Sequence, residues 1–151
     1  MWAKRLAPQV GTMQRHRMVE WLAFISSELH RNFGLLIDPA VPMDLKPLYR
    51  KRLADRFAWL ESKLPEQSNL LGKDLSVADI YLFVVVGWTS FVDVDMSPCH
   101  RLGTLVARIG QRQTVKDTLL AEGLSCLSES AAATVTNTPR PELTGASAQQ
   151  T

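Results

Sequence analysis

The sequence predicts an all-α fold, a bundle of about five helices around a buried central helix, and three observations lead there. Two long stretches repeat apolar residues at three-and-four spacing, the period of one helix face. No stretch shows an alternating βαβ pattern. The segment 72–88, GKDLSVADIYLFVVVGW, opens on a helix-start signal and continues as an almost unbroken apolar run.

That segment is the central element. Ser76 stands where an N-cap belongs and Asp79 falls three residues later. The Ser76 hydroxyl can therefore accept from the Asp79 N–H while the Asp79 carboxylate accepts from the Ser76 N–H, a structural capping box. The carboxylate also suits the positive end of the helix dipole. Leu75 and Ile80 flank the box as a hydrophobic staple. From Ile80 to Val86 no polar stripe is left, so the helix is expected to be enclosed by protein on every side.

The remaining elements follow in order. Pro8 and Gly11 break the entry segment, and Thr12 can cap a helix over about 13–32 whose face is Met18, Trp21, Leu22, Ile25 and Leu29. Gly34 is expected to end it, with a loop from Asp38 to Pro42. A second amphipathic helix is expected over 44–64, with Leu45, Leu48, Tyr49, Leu53, Phe57, Leu60 and Leu64 inward and Pro47 in the first turn. Pro65 stops it, and a turn-rich link leads to the central helix. A loop through Asp93, Asp95 and Pro98 precedes a fourth helix over 99–112. Thr114 and Asp117 repeat the capping-box spacing, so a short fifth helix to about Ala121 should end at Gly123. Residues 1–124 thus read as one helical domain. Residues 125–151, rich in Ser, Thr, Ala, Pro and Gln and without an aromatic, read as a disordered tail.

Composition narrows the function. An apolar fraction of 46% and a charged fraction of 21% in 151 residues fit one soluble globular domain with a real core. A net charge of +2, with basic residues spread along the chain, argues against nucleic acid or an anionic membrane as partner. The apolar run is too short to span a bilayer, and no secretory h-region follows Lys4 and Arg5. Cys99 and Cys126 lack metal-ligand spacing, so no metal site is expected, and a reducing cytoplasm is the expected location.

LLGKDLSVADIYLF resembles the buried capping-box helix in the C-terminal domain of glutathione S-transferases. LAPQVGTMQRHRMVEWLAFISSELHRNFGLL resembles the first helix of that domain in the bacterial beta class, and RIGQRQTVKDTLLAEGL the closing helices. The resemblance runs from about Leu6 to Leu124. It implies that a thioredoxin-like domain, which activates the glutathione thiol in that family, lies outside this chain. Glutathione as co-substrate, a small electrophilic acceptor, detoxification by conjugation, and either a homodimer or a thioredoxin-like domain as partner are implied with it.

The same resemblance assigns residues. His30 matches a catalytic histidine directed at the glutathione sulfur, where an imidazole can donate to a thiolate; by spacing alone it reads rather as a helix-end histidine suited to the dipole, and the resemblance reverses that preference. Ser27 and Glu28 match positions near the γ-glutamyl amine, for which a carboxylate is the fitting partner, while spacing alone gives a solvated face. Arg31 matches a lysine, and Ala23 stands where the class often carries a glutathione-contacting asparagine. Trp88 matches a tryptophan bordering the acceptor site, or is a core aromatic at a helix end. Two other readings stay open, a non-catalytic binding or dimerisation module and a truncated gene product.

Overall fold

The computed structural model describes residues 6–64 and 68–124. The expected tail with Cys126, and Pro65 as helix stop, lie outside those residues. From Met13 onward the described residues form five helical rods, and none contains a named strand.

The first rod is α1 (Met13–Phe24), a π-helical turn (Ile25–His30) and α2 (Arg31–Ile37), joined by residues that keep right-handed helical dihedrals. Thr12 caps it, its hydroxyl accepting from the Arg15 N–H at 3.2 Å. Gly34 does not end this rod. Phe33 and Leu36 are buried on either side of it, and their burial outweighs the roughly 1 kcal/mol that a helical glycine costs against alanine. The π turn was not foreseen. Its wider i→i+5 bonding appears where the Arg31 N–H reaches the Ser26 carbonyl.

The second rod, α3 (Lys46–Lys63), buries Leu53, Phe57 and Leu60, with Leu64 buried just beyond. Leu45 and Leu48, expected inward, are 40% and 53% exposed, because they sit at the start of the rod where it has run past the core. The central helix is α4 (Val77–Gly87), followed at once by the short α5 (Thr89–Val92). Its capping box closes as expected. The expectation of enclosure on every side is corrected. Ala78, Leu82, Phe83, Val85 and Val86 are buried, but Ile80, Tyr81, Val84 and Trp88 are half-buried and Val77 is exposed. Those five residues share one stripe at helical spacing, and no other described element covers it fully.

α6 (His100–Gly110) buries Leu102, Leu105, Val106 and Ile109. Its N-terminus is capped from another rod: Glu61 accepts from the Arg101 and Leu102 N–H groups at 2.7 and 2.9 Å. α7 (Gln113–Ala121) follows after a tight turn. The second capping box is not made. Arg112 takes the N-cap position, Thr114 falls inside the helix, and Asp117 accepts instead from the Gln113 side chain at 2.7 Å.

Candidate functional site

The π turn ends on His30, and two apolar-run residues of the central rod meet its ring. Tyr81 reaches it through hydrogen bonding, with Oη 2.6 Å from His30 Nδ1. Trp88 packs edge-on against it, centroids 4.9 Å apart and planes at 80°. Trp88 is itself held edge-on by Phe33, centroids 5.7 Å apart. His30 is exposed while Tyr81 and Trp88 are half-buried. Tyr81 was not singled out in the sequence. Its one signal there is a lone phenol in an otherwise apolar helix, a side chain that seeks a hydrogen-bond partner when half-buried.

Beside this cluster opens an apolar cavity of about 740 Å³. His30, Phe33 and Trp88 form one end; Ile37, Met43 and Phe91 form exposed walls. This size lies within the range of small-molecule sites.

The other candidates distribute unevenly. Ser27 and Arg31 stand exposed on the first rod within a turn of His30. Glu28 points elsewhere: its carboxylate forms an ion pair with Arg56 Nε at 2.8 Å across to α3. It therefore lies on the face of Phe24, which stacks on Trp59 with centroids 4.7 Å apart. Ala23 is exposed. Ser76 and Asp79 are buried and wholly engaged in the capping region.

Cys99 is buried at the N-cap of α6. Burial, then the Glu61 and Asp95 carboxylates, push its thiol up to about 11. The thiolate is the nucleophile, so Cys99 offers none near neutrality. In a Cys126→Ser background, a chromogenic disulfide reagent at about pH 8 should leave native Cys99 unmodified until the fold is opened by urea. Rapid modification of the native protein would contradict this burial. Among the described residues no group of three or more His, Cys, Asp or Glu could hold a metal ion, and no helix is long and apolar enough to cross a membrane.

An all-helical bundle around a capped central helix, with an exposed histidine beside an apolar cavity, defines the class of fold. Comparisons say which. Residues 44–108 match the family described as "Glutathione S-transferase, C-terminal domain". The chain is 31% identical over 121 residues to glutathione S-transferase GstA of Escherichia coli O157:H7, an alignment covering 80% of this chain and 60% of that protein. Among solved structures it is similar to BphK, a bacterial glutathione S-transferase in a ternary complex, at 45% identity and a TM-score of 0.76, with 80% of this chain and 60% of that one covered. The beta-class enzyme of Sphingomonas chungbukensis gives 39% identity and a TM-score of 0.74 over 79% and 59% of the two chains. The fold is the C-terminal domain of glutathione S-transferases, and through it the chain is related to that family and resembles its bacterial beta class. It spans about 60% of the length of these relatives.

Proposed function

We propose that this domain supplies the helical share of a cytoplasmic glutathione transferase site, in which the thiolate of glutathione attacks an electrophilic apolar acceptor. The observation that carries this reading is the hydrogen-bonded, aromatic-braced His30 at the mouth of the apolar cavity. A Tyr81 hydroxyl that donates to Nδ1 leaves the proton on Nε2. No described residue takes that proton, and on an exposed side chain it is able to donate to a sulfur anion presented from outside. Ser27 and Arg31 then face the remainder of the tripeptide. Glu28 could meet its ammonium group on giving up Arg56, a half-exposed pair whose loss costs about 1 kcal/mol or less. Trp88 borders both the sulfur and the acceptor.

The stripe formed by Val77, Ile80, Tyr81, Val84 and Trp88 is where a thioredoxin-like, thiol-activating domain would dock. With the stripe uncovered, the 151-residue chain should self-associate. Sedimentation showing a single monomer at high micromolar concentration would count against that.

Tyr81→Phe separates site from fold. It removes one half-buried hydroxyl, so stability in a thermal melt should fall by no more than about 1 kcal/mol. Affinity for S-hexylglutathione should fall several-fold, because the imidazole loses the bond that fixes its tautomer. Unchanged calorimetric binding of that ligand would remove Tyr81 from the site.

A further inference from the structure

The cavity beside His30 is apolar along its walls but not at its far end. Lys46 and Arg50, one turn apart on α3, both line it and both are half-buried. Phe57 touches Phe33 edge-on, centroids 6.3 Å apart, at the His30 end. Arg50 precedes Phe57 by seven residues, about 10 Å along the helix, and Lys46 lies a further turn out. The two cations therefore stand at the end of the cavity remote from the imidazole.

No described residue neutralises either of them. Among the described residues no carboxylate lies within ion-pair distance of Lys46 or Arg50. Arg50 donates from Nε to the Val92 carbonyl at 2.9 Å, which fixes the head group against α5 and leaves its terminal nitrogens for another acceptor. The other residues lining the space with an ionisable side chain are His30 and Asp93. Asp93 holds a left-handed conformation, φ 57° and ψ 52°, at the cavity edge, and pairs with neither cation. Two half-buried cations that no described carboxylate pairs, set beside an apolar wall, are free to bind an anion.

From this arrangement the geometry points to an acceptor that is a ring-sized apolar electrophile bearing an anionic group. The ring lies between Trp88 and Phe91, the carboxylate or sulfonate is bound by Arg50 and Lys46, and the electrophilic carbon is left at the His30 end. This rests on the reading of the cavity as the acceptor site. Arg50 and Lys46 are then specificity-determining residues, selecting charged acceptors over neutral ones of the same shape.

A matched pair of fluorescent probes tests this on the full chain. 8-Anilinonaphthalene-1-sulfonate carries the anion, and N-phenyl-1-naphthylamine is the same skeleton without it. The variant is Lys46→Gln/Arg50→Gln, in which the amide introduced on α3 can still donate to the Val92 carbonyl. There the sulfonate should bind about tenfold more weakly, as expected for loss of a charge-assisted hydrogen bond. The neutral probe should change less than about twofold, because it has no anion contact to lose. Phe91→Asp, at a position already 63% exposed and so tolerant of the change, should weaken both probes. Circular dichroism confirms that the variants fold. Equal weakening of both probes by the double substitution, or unchanged sulfonate affinity, overturns the anion-anchor proposal while leaving the cavity reading intact. Failure of the wild-type chain to bind either probe overturns both.

Discussion

Asp79→Ala is expected to lower the stability of the domain by about 3 kcal/mol, since it removes a buried acceptor of several hydrogen bonds. Asp79 is fully buried, and its carboxylate accepts three of them: from the Leu70 N–H at 2.7 Å, the Ser76 N–H at 2.8 Å and the Ser76 hydroxyl at 2.6 Å. Leu70 and Ser76 are themselves buried, so water cannot readily replace the lost acceptor. A cap of this kind contributes about 0.5–2 kcal/mol by itself, and each buried donor left unpaired adds about 1–3 kcal/mol before the loop relaxes. The bond to Leu70 carries the effect beyond the helix terminus, because it ties the turn at Asn69 and Gly72 to the central rod. For a domain of this size the melting temperature should fall by roughly 10–15 °C. Asp79→Asn, which keeps the shape but turns one acceptor into a donor, should fall between alanine and wild type. A urea midpoint for Asp79→Ala within about 1 kcal/mol of wild type would show that the loop finds other partners.

The second large effect concerns rate. The 151-residue chain, given glutathione and a chlorinated aromatic acceptor, is expected to show no turnover above the uncatalysed reaction. Glutathione must be deprotonated and aligned to attack, and an ordinary thiol is only about 1% thiolate two units below its pKa of about 8.5. On the proposed reading His30 stabilises a thiolate from one side only, and the Tyr81 hydroxyl is already engaged with His30 Nδ1. Cys99 cannot substitute, being buried and pushed up to about 11. Adding the missing geometry should restore the rate. A fusion placing a thioredoxin-like, thiol-activating domain ahead of Leu6 should conjugate the acceptor. His30→Ala in that fusion should reduce kcat by about a hundredfold, in the range of a lost acid–base group. Turnover by the unfused chain would contradict this division of labour between the two domains.

Local chemistry was readable; long-range pairing was not. The Ser76–Asp79 box and the Thr12 cap were legible because each is closed by residues three positions apart. The Thr114–Asp117 pair has the same spacing and fails. α6 ends at Gly110, and the short turn that follows makes Arg112 the cap. The π turn has no comparable sequence mark, and neither does the passage of the helix through Gly34, which depends on Phe33 and Leu36 finding the core. At the site, the resemblance named His30 and Trp88, but their contact and the Tyr81 bond link residues more than fifty positions apart. The same holds for Arg50 with Val92 and for Glu61 with the N-terminus of α6, each pair some forty positions apart. Pairs at that separation are set by how rods pack, and no spacing rule along one chain reports them.

The central claim is that glutathione and its acceptor meet on the face built by His30, Tyr81 and Trp88. A ¹H–¹⁵N correlation titration of the chain with S-hexylglutathione, a tripeptide carrying an apolar chain on its sulfur, tests it most directly. The largest shifts are expected at His30, at the Trp88 indole, and at Tyr81 and Phe91, with Ser27 and Arg31 following. Shifts confined to another part of the surface, such as the groove lined by Lys73, Arg108 and Arg112, or no shifts at millimolar ligand, would contradict it.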